Sequence, residues 1–238
     1  MTQIVKTDSI LMAVVIALGF TTTATTAGPI YSNDFENVAD PLTEWSVPRV
    51  DLTPGTAEHP LDRFLGQFIN EESTTLTLEG LTPNTQITIS FDLYVIRSWD
   101  GNHTPYNGPD EWWLDANDIT LLHTTFSNQG YDQAYPDAYP GGSNPPRTGA
   151  DESNTLGFTY ASEVKDTVYY FRENSVLGDT RFTFNLGSAS TLELTFSGHL
   201  KPDNDDESWG IDNIVVIPEP TTLSLLLLGG VVALKRRR

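Results

Sequence analysis

Four aromatic side chains crowd one polar stretch of the chain: Trp99, Tyr106, Trp112 and Trp113. Aromatic rings stack on sugar faces, because the sugar C–H groups meet a negative π face and both surfaces are apolar. This set is therefore the candidate ligand-binding surface. Trp112 and Trp113 are adjacent, so on a strand they point to opposite faces, and at most one is free to bind while the other enters the core. The alternative is that most of these rings pack beneath long loops. Acidic residues are the other candidates. Asp203–Glu207 (DNDDE) offers side-chain oxygens at five successive positions. It lacks the twelve-residue loop closed by a bidentate Glu that marks an EF-hand, and it reads as a solvated acidic turn.

Signals for catalysis are sparse. The four histidines (His59, His103, His123, His199) show no H-x-x-x-H or H-E-x-x-H spacing. There is no Gly-x-Ser-x-Gly elbow, P-loop or dinucleotide fingerprint. The absence of cysteine excludes disulfides, zinc–thiolate sites, Fe–S clusters and thiol catalysis. The chain is expected to be no enzyme; a glycan-degrading one, using a carboxylate pair, is the weaker alternative. Its 238 residues carry a net charge of -19. Five of the 13 basic and two of the 32 acidic residues lie outside 28–217, so that span carries -22. Such a surface repels nucleic acid and favours solubility or divalent cations.

The elements that must position these residues are strands. From Ile30 the texture is short β-rich runs punctuated by Gly, Pro, Asn and Asp. Gln86–Ile96 alternates, with Ile87, Ile89, Phe91, Leu93 and Val95 on one face of a half-buried strand. Thr74–Leu78 and Thr191–Ser197 alternate likewise. Ile119–Phe126, Thr155–Tyr160, Thr167–Arg172, Arg181–Asn185 and Gly210–Ile217 are further strands. No 3.6-residue period runs through the span. The prediction is an all-β, two-sheet antiparallel β-sandwich, a jelly roll, over 28–217. Two long segments, Ser98–Asp110 and Ser127–Asn154, interrupt it and are expected to be functional or mobile.

Several motifs resemble known families. Tyr31–Glu36 (YSNDFE) followed by Trp45, and the closing Trp209–Val216 (WGIDNIVV), resemble jelly-roll carbohydrate-binding modules and, more distantly, MAM-type domains. The resemblance implies a structural calcium (Ca2+) held by Glu36 and Asp212, with Asp34 a further candidate and backbone carbonyls completing the shell. The other reading is that these acids only hydrogen-bond strand ends. Asn213 stands where that family often has a second Asp. The middle segment, Phe91–Asn128, with the ending DESWGIDN, resembles a recurrent extracellular β-sandwich pattern of bacterial surface proteins.

The two ends read as addresses. Met1–Ala27 is expected to be a signal peptide, with Lys6, an apolar run at Ile10–Phe20 and cleavage after Ala27. The tail, 218–238, holds Pro218, Glu219 and Pro220, then apolar Leu223–Leu234, then Lys235, Arg236, Arg237 and Arg238. Twelve apolar residues make only about 18 Å of helix against a hydrocarbon core of about 30 Å, and the basic end should stay cytoplasmic. This tail resembles the PEP-CTERM sorting signal. That implies a transient inner-membrane helix and cleavage near Pro218–Pro220 by an exosortase. It further implies a Gram-negative host making extracellular polysaccharide, and a mature protein on the outer envelope surface or in the matrix. Extracellular polysaccharide is the expected partner; an adhesive matrix role without a defined glycan is the alternative.

Overall fold

The computed structural model describes residues 28–104, 108–200 and 206–219. The proposed signal peptide and the tail from Pro220 onward, with Arg236, Arg237 and Arg238, lie outside them. All secondary structure in the described residues is β, and no helix there is long and apolar enough to cross a membrane.

Two antiparallel sheets face each other. The larger runs in the spatial order β2 (Val50–Leu52), β3 (Arg63–Phe68), β14 (Glu207–Pro218), β5 (Gln86–Arg97), β11 (Asp166–Phe171), β8 (Glu152–Ser153). Here β1 (Tyr31–Asn33) also pairs with β14, and β12 (Phe182–Asn185) with β5. The smaller runs β4 (Ser73–Leu78), β13 (Leu192–His199), β6 (Glu111–Ala116), β7 (Ile119–Thr125). β9 (Thr159–Tyr160) and β10 (Glu163–Val164) form a separate small hairpin. With β11 and β12 taken as one interrupted strand, the orders 3-14-5-11/12 and 4-13-6-7 are those of a jelly roll, as expected.

The core is aromatic. Phe91 of β5 lies 4.9 Å from Phe171 and reaches across to Phe196 at 5.2 Å and Trp112 at 5.9 Å in the smaller sheet. The odd residues of β5 enter this core as the alternation predicts, but the strand is not half-buried. Tyr94 and Ile96 on its other face are buried too, in a second cluster with Phe64, Leu156, Phe158 and Val168. The chain around Leu156–Phe158 covers a face that period two alone assigns to solvent. Thr155–Tyr160 is accordingly mostly irregular, with only its last two residues in a strand. β3, with no clean alternation (RFLGQF), is a strand absent from the sequence expectation: Phe64 serves the outer cluster, Leu65 and Phe68 the inner core.

The long segment 127–154 is tied down by one buried amide. Gln133 Oε1 accepts from the backbone N–H of Ser127 and Arg147, and Gln133 Nε2 donates to the carbonyls of Tyr135 and Thr148. Tyr135, also buried, packs 5.0 Å from Phe126. This segment closes one end of the sandwich.

Candidate functional site

The structure separates the four aromatic candidates. Trp99 and Trp112 are fully buried. Trp99 donates its indole N–H to the Ser208 carbonyl at 2.9 Å, and Trp112 packs among Phe91, Phe126, Phe171 and Trp209. Neither can stack on a ligand, which corrects their assignment to the binding surface. They are drawn inward because each lies on the core side of its segment, where a large apolar ring contributes most. Tyr106 lies outside the described residues. Trp113 faces out, as adjacency to a core Trp112 requires.

Trp113 stands half-buried on the outer face of the smaller sheet. One face of its ring is covered by His123, directly opposite on β7, with centroids 4.5 Å apart and planes 13° from parallel. His123 is held by Glu111, Nε2 to Oε2 at 2.6 Å, and is met edge-on by Tyr139. On the β13 side, Trp113 is paired with Ser197, a small neighbour. There an open depression of ≈ 470 Å³ is lined by Trp113, Asp115, Ser197, Gly198, His199 and Glu71. His199 Nε2 lies 3.5 Å from Glu71 Oε1 at its rim. The arrangement offers an aromatic wall fixed from behind, and carboxylate and imidazole hydrogen-bonding groups beside it. His123, His199, Glu71 and Asp115 carry no spacing signal, because they converge only across strands.

Asp34, Glu36 and Asp212 do not converge on one point. Asp34 and Glu36 are exposed, and Asp212 is buried on the outer face of β14. Asp34 Oδ1 accepts from the Glu36 N–H at 3.3 Å, and Glu36 Oε1 from the Arg63 N–H at 2.8 Å. The Tyr94 hydroxyl lies 2.9 Å from Asp62 and 3.0 Å from Asp212. Asp212 Oδ1 accepts the Asn213 N–H at 2.7 Å, and the Asn213 amide donates to Asp212 Oδ2 and Asp92 Oδ2, both at 3.0 Å. Calcium needs six to eight oxygens on one centre. Asp212 has its oxygens turned to Tyr94 and Asn213 instead, so this trio does not fit the ion. What holds the motif together is packing. Phe35 lies 6.0 Å from Trp45, whose indole donates to the Tyr31 hydroxyl at 2.7 Å, while β1 pairs with β14.

The local sequence of β14 explains this network. Trp209 and Ile211 face the core. Gly210 lies under the Phe64 ring, where an added Cβ would meet Phe64 Cδ2 at 2.3 Å. A bulge between Asp212 and Val215 puts Asn213 at φ 50, a conformation Asn tolerates. There its amide bridges two acids, where a carboxylate would add a third negative charge. Asp92 also meets Arg172 at 3.4 Å, whose guanidinium lies 3.5 Å over the Tyr170 ring. Burial raises Asp92 to about 6 against the pull of Arg172. Burial, with the charge of Asp62, raises Asp212 to about 8.

The start of the tail motif is docked. Pro218 ends β14, the Glu219 N–H donates to the Gln86 carbonyl at 2.7 Å, and Thr88 Oγ1 donates to Glu219 Oε1 at 2.5 Å.

No protein-family model matches the chain, and no curated protein matches it significantly. The solved structures that match the chain include two of low identity. The CBM22-1 xylan-binding domain of Paenibacillus barcinonensis Xyn10C is 12% identical, with 82% of this chain and 97% of that one covered, at a TM-score of 0.38. A cleaved adhesin domain of Lys-gingipain from Porphyromonas gingivalis is also 12% identical, with 80% and 99% covered, at 0.36.

Proposed function

We propose that the β-sandwich binds extracellular polysaccharide without turning it over, in an exported surface or matrix protein released from its membrane intermediate by an exosortase. The observation that carries the binding role is the Trp113 wall: an outward indole backed by His123 and open toward Ser197. A pyranose face against that indole would gain apolar contact, while Asp115, Glu71 and His199 stand beside it for hydroxyls. The carboxylates fix orientation more than affinity, since Glu71 is exposed and Asp115 is part-exposed to water. Affinity electrophoresis of the purified protein against a polysaccharide panel, including that of its own host, tests the reading. Trp113→Ala should weaken binding roughly tenfold to a hundredfold, equivalent to about 1.4–3 kcal/mol. No retardation by any polysaccharide, or equal retardation of wild type and variant, overturns it.

The export route rests on the sequence motifs at the two ends. Intact mass and fractionation with and without the exosortase test it. A tail that stays attached in both strains overturns processing and leaves a membrane-anchored protein.

A further inference from the structure

The jelly roll brings Asp100 and Asp110, ten residues apart, together with Glu207 from the last strand. Asp100 follows the end of β5, Asp110 precedes β6, and Glu207 begins β14. All three are buried, at 7%, 0% and 3% exposure. One carboxylate oxygen from each lies within 4.8 Å of the other two. Glu207 Oε2 is buried and accepts no hydrogen bond among the described residues. Neither Asp100 nor Glu207 has an ion-pair partner among those residues. Burying an unpaired carboxylate is costly unless a cation balances it, and Asp100 and Glu207 are both buried in this way.

We propose that Asp100, Asp110 and Glu207 hold a calcium ion that ties the segment after β5 to the starts of β6 and β14. The donors are all oxygen, with no sulfur or nitrogen among them, which selects a hard cation. Their burial favours calcium over magnesium, because magnesium keeps several of its waters. The surrounding hydrogen bonds show what the ion would brace. The Asp100 N–H donates to Asp110 Oδ2, the Ser98 N–H to the Asp206 carbonyl at 2.9 Å, and the Trp99 indole to the Ser208 carbonyl. Asp110 is followed by Glu111, which holds His123 against Trp113, so the ion would also steady one end of that strand. The site is separate from the Trp113 depression and stands whether or not a glycan binds there.

The test uses the purified full chain, stripped with EDTA and titrated with calcium or magnesium. At calcium about a hundredfold above its Kd, the Tm should rise by roughly 5–10 °C. Magnesium at the same concentration should do much less. Terbium should give indole-sensitised emission, since Trp99 adjoins Asp100, and calcium should quench it. Glu207→Gln should abolish the Tm shift and the emission, yet melt close to wild type in EDTA, because Gln is a neutral side chain of the same shape at a buried position. If that variant does not fold, Asp100→Asn serves in its place. Asp212→Asn should keep the full calcium response, which puts the ion at this cluster and not in the Tyr94 network. A wild-type Tm indifferent to calcium, a response retained in the folded variant, or an equal response to magnesium overturns the proposal.

Discussion

Tyr94 has one hydroxyl proton to offer and two carboxylates, Asp62 and Asp212, within hydrogen-bond distance of it. It can donate to one, and the other contact is satisfied only if that acid brings its own proton. Burial raises Asp212 to about 8 and Asp92 to about 6, against an unfolded value of about 4. The folded chain therefore binds more protons than the unfolded chain above about pH 4, and stability falls as pH rises through that window. The fall due to Asp92 ends near pH 6 and that due to Asp212 near pH 8. Asp212→Asn should flatten the limb between pH 6 and 8 in a series of thermal melts; an unchanged slope would place the proton elsewhere. Gly210→Ala is a second residue-scale test. Its methyl would run into the Phe64 ring, and overpacking of this kind costs about 1–3 kcal/mol. A denaturant midpoint equal to wild type would show that Phe64 can move aside. Neither role was legible in advance. The motif WGIDN is visible in the chain, but which of its residues meets a tyrosine, and which lies under a phenylalanine, depends on partners over a hundred residues away.

Strands whose two faces differ were legible, and strands buried on both faces were not. β13 alternates cleanly and was placed within two residues. β3 sits between β2 and β14 with apolar residues on both faces, so it has no alternation to find. The β6–β7 hairpin shows the limit of local reading. Counting back from the Ala116–Ile119 pair, Trp113 should oppose Leu122. A bulge between Leu114 and Asp115 shifts the register by one, and His123 becomes the partner that backs the indole. The segment 127–154 reads as a loop, and it is one, but Gln133 makes it an ordered lid. Gln133→Ala removes four hydrogen bonds to the backbone of this segment, two of them fully buried, and should cost about 2–4 kcal/mol. Hydrogen exchange should then speed up across that segment first. A uniform loss of protection over the whole sandwich would mean that the segment is part of the global folding unit.

At the scale of the molecule, a span with a net charge of -22 repels itself at neutral pH. Screening by salt weakens this, with a Debye length of about 30 Å at 0.01 M falling to about 3 Å at 1 M. The Tm in EDTA should therefore rise as NaCl is added across that range, and a fall would mean that attractive ion pairs outweigh the net repulsion. By itself, the amino-acid sequence determined the all-β class, the two-sheet sandwich and the outward direction of one of two adjacent tryptophans. Alternation and composition are local properties, and period two settles which neighbour faces in once the other is placed. It also carried the motifs at the two ends as motifs. Only the tertiary structure decided that Trp99 and Trp112 are core, that Glu36 and Asp212 stay apart, and that Asp100, Asp110 and Glu207 meet. Those outcomes depend on strand order, on one bulge and on which loop covers which face, where residues distant in the chain share a few ångströms of space.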